Sequence, residues 1–228
     1  MPDPLFSLII PSRGTRPKAL KSALEQIRQA AEQAFGILAP EQAEILVGFD
    51  GVRGERVMEH ACVHYFDLPR DTNWGNGIRN ILLKRAKGQK IVFHDDDNAL
   101  TKNAFETWLR YFSCEMLIAR IDVSRAFDCK YLPQDLPGKS LVRQGNIDPL
   151  CLCLSRELVV DRCGGWSGKI GYEADYLNIL NYHRRAFLVE VTQEIVGIYD
   201  AGQGLDPQGI NFRQERLLCK GEKSKVIG

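Results

Sequence analysis

The sequence contains no apolar run long enough to cross a bilayer, which takes about 20 residues. Its first residues, Met1-Pro2-Asp3-Pro4, also lack the basic and then apolar pattern of a signal peptide. We therefore expect no transmembrane segment and a cytoplasmic location.

The two signs of charge are nearly balanced, and the cysteines lack the spacing of a metal site. The formal net charge of the 228 residues is +1, which predicts no general affinity for nucleic acid. The 7 cysteines are odd in number and form no Cys-x-x-Cys pair. Cys151 and Cys153 fall on one face of an apolar stretch, so we interpret them as buried hydrophobic residues rather than zinc ligands or a disulfide.

The first half of the sequence alternates strands with helices. Apolar β-forming stretches cover about 5–10, 44–49, 61–66 and 90–93, and helical spacing covers about 16–34 and 78–86. Pro17 favours a helix start there, because its missing N–H costs nothing in the first turn. This order predicts an α/β fold with a Rossmann-like, mostly parallel sheet.

The second half has a different pattern, with shorter strands and more turns. We predict helices at about 102–112, 155–163 and 172–182, antiparallel ribbons at 115–123, 127–132 and 141–143, and strands at 150–154, 186–191 and 195–199. The chain then divides into a nucleotide-binding half (1–100), an acceptor-binding half of the same domain (101–205) and a C-terminal tail (206–228).

Three consecutive carboxylates follow the strand at 90–93. Because side chains alternate along a strand, Asp95 and Asp97 should share one face, with Asp96 on the other. Two carboxylates on one face favour a hard cation such as Mg²⁺ or Mn²⁺, which usually completes its shell with substrate phosphates. The alternative is a solvated turn in which Asp97 or Asn98 caps the next helix.

Polar groups follow two other strands of the predicted sheet. Ser12 and Arg13 come after the first strand, and Asp50 ends the second. In a parallel sheet these groups meet the acidic residues at one edge, where ligands bind, so the pattern favours a nucleotide-phosphate site. Arg13 and Arg79 are either phosphate contacts or solvated charges. Asp50 either accepts a hydrogen bond from a uracil N–H or forms a turn with Gly51.

Five motifs in this order resemble the GT-A family-2 glycosyltransferases, over about residues 6–199. They are Ser7-Leu8-Ile9-Ile10-Pro11-Ser12-Arg13, Val47-Gly48-Phe49-Asp50-Gly51, Gly77-Ile78-Arg79-Asn80, Phe93-His94-Asp95-Asp96-Asp97, and Leu154-Ser155-Arg156-Glu157 followed by Gly164-Gly165-Trp166. The resemblance implies a GT-A fold with an antiparallel acceptor side, and inverting transfer of a sugar from a UDP-sugar to a saccharide or other hydroxyl acceptor.

The resemblance also assigns roles to single residues. It implies donor contacts from Pro11, Ser12, Arg13, Asp50, Arg79, Asp95 and Asp96. It implies Mn²⁺ or Mg²⁺ on Asp95 and Asp97.

The chain departs from the family pattern at three positions. Phe49 replaces the first Asp of the family's Asp-Asp-Gly, and Asp200 is the nearest substitute for a metal-binding His after the last strand. The family's Glu-Asp pair becomes Glu173-Ala174-Asp175, which leaves Glu173 and Asp175 both open as the catalytic base.

Other side chains near these motifs have open roles. Trp74 and Trp166 either cover a ligand or pack in the core, and Arg213 and Arg216 either fold over the diphosphate or belong to a solvated tail. We interpret His94 as a packed residue. Two other functional classes remain, a nucleotide-sugar-binding module or inactive relative, and a nucleotidyltransferase, for which the loop at 12–16 is a thin match.

Overall fold

The computed structural model describes residues 3–71, 73–168 and 173–210. The described strands are β1 Phe6–Ser12, β2 Ala43–Asp50, β3 Val63–Leu68, β4 Lys90–Phe93, β5 Ala99–Leu100, β6 Met116–Asp122, β7 Tyr131–Leu132, β8 Leu152–Ser155 and β9 Val189–Ile198. They form one sheet in the order β3-β2-β1-β4-β8-β6-β9-β5, with β7 paired to β6.

Helices pack on this sheet. They are α1 Pro17–Phe35, α2 Asn76–Leu83, α3 Ala104–Arg110 and α4 Ala174–Arg185, with a 3-10 turn at Pro149–Cys151 and a π-helical segment at Glu157–Arg162. Helix α1 begins at Pro17 and is followed by Gly36, whose φ of 80° ends it in the left-handed region. Its buried face recurs at helical spacing, through Ala19, Leu20, Ala23, Leu24, Ile27, Ala30 and Ala31.

Strands β1 to β4 form the parallel half that the alternation of elements predicts. β1 lies between β2 and β4 and is parallel to both, and β3 is parallel to β2. The carboxyl ends of these strands therefore meet at one edge of the sheet, which brings Ser12, Asp50 and the residues after Phe93 to the same side.

The second half extends the same sheet in mixed directions. β8 is antiparallel to β4 and to β6, whereas β6 and β9 are parallel. Leu152, the first residue of β8, therefore lies near the carboxyl end of β4.

Several elements of the second half differ from the predictions. Residues 141–143 form no strand, because they lie in a turn that Asn146 holds with hydrogen bonds to Leu141 and Gln134. The two strands predicted within 186–199 are one strand, β9, since β6 pairs with it through two register irregularities. The predicted helix at 155–163 is the π-helical segment.

The loop after β9 returns to the start of α1. Asp206 accepts hydrogen bonds from the backbone N–H groups of Lys18 (3.2 Å) and Ala19 (2.8 Å), and so caps this helix. A Cβ at Gly202 would lie 2.6 Å from the Cβ of Ala19, so only glycine allows this approach. The segment predicted as a tail is therefore packed at its start; Arg213 and Arg216 lie outside the described residues.

The core is continuous across both halves. Phe6 of β1 packs edge-on against Phe105 of α3, with 5.2 Å between ring centroids. Cys151 and Cys153 are buried and free, as the sequence indicates, and burial raises the pKa of the Cys153 thiol to about 12. In the part of the chain described, no helix has the length and apolar character needed to span a membrane.

Candidate active site

The acidic motif leaves the strand before its carboxylates begin. β4 ends at Phe93, and the N–H of Asn98 donates to the carbonyl of Asp95 (3.1 Å), which closes a turn. Side chains in a turn do not alternate between two faces. The prediction that Asp95 and Asp97 share one face of a strand, with Asp96 on the other face, is therefore wrong.

Two arginines divide the three carboxylates between them. Arg16, just before α1, donates through Nη2 to Asp96 and through Nη1 to Asp97. Arg79 of α2 donates through Nη2 to Asp95, over 2.6 Å. The motif is thus held by charged hydrogen bonds on both sides.

Asp96 is the buried member of the motif. Its side chain is fully buried, and Ser12 Oγ donates to its Oδ2 over 2.5 Å. Burial raises the pKa of Asp96 to about 7, although the neighbouring Arg16 acts in the opposite direction. The donor contact predicted for Asp96 would therefore pass through Ser12 and Arg16.

His94 is packed beside this motif. It is buried, and neither ring nitrogen has a hydrogen-bond partner among the described residues. Burial lowers its pKa to about 4, so the imidazole is neutral at physiological pH. The interpretation of His94 as a packed residue is confirmed.

Arg79 lies between the acidic motif and Trp166 of the second half of the chain. Its side chain is 6% exposed, its Nη1 donates to the carbonyl of Trp74 (3.2 Å), and its guanidinium lies 5.2 Å from the Trp166 ring centroid. Trp166 is buried, and its Nε1 donates to Asn76 Oδ1 over 2.6 Å. Trp166 therefore packs beneath the site, and the alternative that it stacks on an acceptor is wrong.

The two candidates for the base have different surroundings. Glu173 is exposed and accepts a hydrogen bond from Gln144 Nε2 (3.0 Å). Asp175 lies in the first turn of α4 and is less exposed. Burial raises the pKa of Asp175, the charge of Arg79 lowers it, and the charge of Asp95 raises it again. Of the two, Asp175 is the carboxylate that joins the cluster around Arg79.

Sequence reasoning missed a further carboxylate, Asp148. The antiparallel pair Val92 and Cys153 sets the register of β4 and β8, so the residues before β8 lie beside those after β4. Asp148 Oδ1 accepts a hydrogen bond from the N–H of Leu150 (2.8 Å) and caps the 3-10 turn. Burial, then the charge of Asp95, raises its pKa to about 7. An apolar strand cannot reveal its own direction, which is why Asp148 could not be predicted from the sequence.

Asp50, the last residue of β2, makes a hydrogen bond within the protein. Asp50 Oδ1 accepts the N–H of Asp71, and the carboxylate of Asp71 accepts the N–H of Gly77 (2.7 Å). Asp50 therefore orders the loop before α2, which agrees with a turn role, although its partner is Asp71 and not Gly51. Phe49, in place of the family's first Asp, is buried and stacks on Tyr65 at 5.9 Å.

The remaining predicted donor residues lie at the end of β1. Pro11 pairs with Gly48 in the sheet and is partly exposed, and Arg13 follows as an exposed residue. Both are at the same edge as the acidic motif. Their contacts with a donor stay a prediction.

Asp200 lies directly behind the acidic motif. It is buried, with φ of 56°, and its N–H donates to Asn98 Oδ1 over 2.9 Å. The next turn is attached to the motif as well, since the N–H of Gly202 donates to the carbonyl of Asp97 (2.8 Å). The role of Asp200 as a metal ligand stays a prediction.

The donor atoms at this edge suit a hard cation only in part. Among residues 3–71, 73–168 and 173–210, no three carboxylates, imidazoles or thiols converge to hold a metal ion by themselves. Mg²⁺ is usually held by one or two carboxylates together with substrate phosphates. Asp95, which is 39% exposed, and Asp97 fit that pattern.

Comparison with known proteins identifies the fold. No family model and no curated protein matches the chain. Among solved structures, S. aureus TarS 1-349 superposes with a TM-score of 0.66 at 13% identity, covering 85% of this chain and 59% of that one. The same protein in complex with UDP gives 0.68 at 14% over the same shares, and in complex with UDP-GlcNAc it gives 0.65 at 15%, covering 85% and 57%.

These matches confirm the predicted fold class. TarS is a GT-A family-2 glycosyltransferase, so the chain has the GT-A fold that its motifs indicate. The chain spans less than two thirds of the length of these structures.

Proposed function

We propose that this protein is a glycosyltransferase that moves a sugar from a nucleotide-diphosphate donor, a UDP-sugar, to the hydroxyl of a saccharide or other acceptor. The observation that carries the proposal is the hydrogen bond from Arg79 to Asp95, together with the charge of Asp175, which acts on the same guanidinium. Asp95 follows β4 at the edge of the sheet where a donor would bind, and Asp175 lies in the first turn of α4, in the half of the chain proposed to bind the acceptor. One guanidinium thus links the two halves of a transfer site.

The donor class is supported by the fold and by charge. Structures with this fold include complexes of TarS with UDP and with UDP-GlcNAc. In this chain Arg16 and Arg79 lie beside the acidic motif, where a diphosphate would need cationic partners. These observations favour a nucleotide diphosphate over a neutral ligand.

We further propose that Asp95 and Asp97 hold Mg²⁺ or Mn²⁺ together with the donor phosphates. Such a metal, when bound, neutralises the charge that develops on the departing diphosphate. Arg79 fixes the orientation of Asp95 through its 2.6 Å hydrogen bond. Asp96 stays internal and holds Arg16 and Ser12 in place.

Asp175 is the proposed base. In the transfer step the acceptor oxygen bonds to the anomeric carbon, the bond from that carbon to the diphosphate oxygen breaks, and Asp175 takes the acceptor's proton. Attack from the side opposite the leaving group inverts the anomeric configuration. Burial raises the pKa of Asp175, which improves its match to a proton transfer near neutrality.

The test combines a binding measurement with a turnover measurement. Calorimetric titration with UDP and UDP-GlcNAc, with Mn²⁺ or with EDTA, should show metal-dependent binding of both. Release of UDP from UDP-GlcNAc in the presence of a panel of mono- and disaccharides should require the intact Asp175. Asp161→Asn, at a carboxylate that is 59% exposed, is the matched control. Absence of UDP binding would overturn the proposal, and binding without any UDP release would favour a nucleotide-sugar-binding module.

A further inference from the structure

The most unusual contact in the site is the one between Arg16 and the acidic motif. Its guanidinium bridges Asp96 and Asp97 through two different nitrogens. Asp97 is one of the two carboxylates proposed to hold the metal. A side chain of this protein therefore occupies a carboxylate oxygen at the place where the cation is expected.

The two halves of this bridge are not equivalent. The Asp96 side chain is 0% exposed, and its second oxygen already accepts from Ser12. The Asp97 side chain is 10% exposed and the Arg16 side chain 12%. Breaking the contact with Asp96 would leave a fully buried carboxylate without its cation, which is costly. The contact with Asp97 is the one that a ligand can replace.

Arg16 is also a cation that could bind a phosphate at the start of α1. It precedes Pro17, which disfavours helical geometry for the residue before it, and its φ of −127° and ψ of 60° hold it outside α1. The N–H groups of Lys18 and Ala19 at the helix start are already used by Asp206. An anion that approaches the motif here meets the guanidinium and not the helix end.

We propose that Arg16 is an exchangeable counter-ion that couples donor binding to metal binding. Without nucleotide it neutralises Asp96 and Asp97 and opposes a divalent cation on Asp97, because two positive charges would then share one carboxylate. When metal and diphosphate arrive together, the guanidinium keeps Asp96 and turns from Asp97 to a phosphate oxygen. This inference rests on the proposed function and adds a positioning role for Arg16.

The proposed coupling predicts opposite changes in the affinities for Mn²⁺ and for UDP, which a purely structural ion pair would not produce. Removing the charge of Arg16 should strengthen Mn²⁺ binding in the absence of nucleotide, because Asp97 loses its competitor. The same change should weaken UDP binding in the presence of Mn²⁺, because the phosphates lose a partner. Coupling between sites is reciprocal, so the dependence of Mn²⁺ affinity on UDP should fall as well.

The experiment measures free Mn²⁺ by electron paramagnetic resonance, with and without UDP, in the full chain and in Arg16→Gln and Arg16→Lys. We expect Arg16→Gln to bind Mn²⁺ about tenfold more tightly without UDP, and UDP about tenfold more weakly with Mn²⁺, within the range usual for coupled sites. Arg16→Lys keeps the charge but loses the bridge through two guanidinium nitrogens, so both of its affinities should lie between those of the parent and of Arg16→Gln. Arg28→Gln, at a partly exposed arginine within helix α1, should match the parent.

Each outcome decides a separate claim. Unchanged or weaker Mn²⁺ binding in a folded, UDP-free Arg16→Gln protein would overturn the inference while the proposed function stands. A parent protein that binds no UDP would overturn both. If Arg16→Gln fails to fold because Asp96 is left unpaired, the double variant Arg16→Gln/Asp96→Asn removes that charge too, and it should bind Mn²⁺ more tightly without UDP than Asp96→Asn alone does.

Discussion

Arg79 donates a hydrogen bond of 2.6 Å to Asp95, and this contact joins helix α2 to the first carboxylate of the acidic motif. The two side chains differ in exposure, at 6% for Arg79 and 39% for Asp95. The arginine is therefore part of the protein interior, and the carboxylate is the group presented at the edge of the sheet. The charges of Asp175 and Asp148, both in the second half of the chain, act on the same guanidinium as the charge of Asp95.

The first prediction concerns the base. Asp175→Asn should lower the rate of UDP release by about 10²- to 10⁴-fold, the usual contribution of a general base, with donor affinity retained. Glu173→Gln should keep a rate near that of the parent, because Glu173 is exposed and contacts Gln144. Steady-state rates and calorimetric titration with UDP-GlcNAc provide the two measurements. Near-normal transfer in both variants would show that the base lies elsewhere.

The second prediction concerns the metal. Asp97→Ala should weaken Mn²⁺-dependent UDP binding by about 100-fold, or about 2.7 kcal/mol. The fold should remain intact, because Arg16 keeps its contact with Asp96 and the cluster holds one carboxylate fewer. Calorimetry with Mn²⁺ and with EDTA measures the first effect, and thermal unfolding followed by circular dichroism measures the second. Undiminished Mn²⁺-dependent turnover would contradict the assignment of Asp97.

The third prediction concerns the end of β2. Asp50→Ala removes the acceptor for the Asp71 N–H and should lower the free energy of unfolding by about 1 kcal/mol. If Asp50 also contacts uracil, UDP affinity should fall about tenfold while pyrophosphate affinity stays unchanged. Urea denaturation and competition titrations with both ligands measure these effects. An equal loss for both ligands would show that Asp50 only orders the loop.

Elements with a periodic apolar pattern could be predicted from the sequence, whereas contacts between distant residues could not. Helix α1 and the parallel strands follow from helical spacing and apolar runs that local residues determine. The bridge from Arg16 to Asp96 and Asp97 joins residues that are 80 and 81 positions apart in the chain. Local sequence patterns carry no information about contacts at that distance. The sequence leaves open whether Trp166 covers a ligand or packs in the core, because the partner that decides it is distant: Asn76 accepts the indole N–H and allows the ring to be buried.

The fourth prediction concerns Asp148 and the dependence of stability on pH. Its pKa is about 7 in the folded protein and near 4 in an unfolded chain, so the folded state keeps the proton longer. The contribution of Asp148 to stability should therefore fall as pH rises from about 4 to about 7. Asp148→Asn removes this effect and keeps the cap on the Leu150 N–H, because Asn caps as well as Asp does.

Urea denaturation of the parent and Asp148→Asn in EDTA, without nucleotide, at pH 4, 6 and 8 tests this prediction. We expect equal stability at pH 4 and an advantage of about 2 kcal/mol for the variant at pH 8, since one pKa unit corresponds to about 1.4 kcal/mol and partial exposure of the carboxyl screens part of the effect. Asp96, whose pKa is also raised to about 7, contributes equally to both proteins and cancels in the difference. Asp148→Ala lacks the cap and should be about 1 kcal/mol less stable than Asp148→Asn at every pH. A difference between the parent and Asp148→Asn that is the same at all three pH values would mean that Asp148 acts only as a cap, and that its charge is not desolvated at the site.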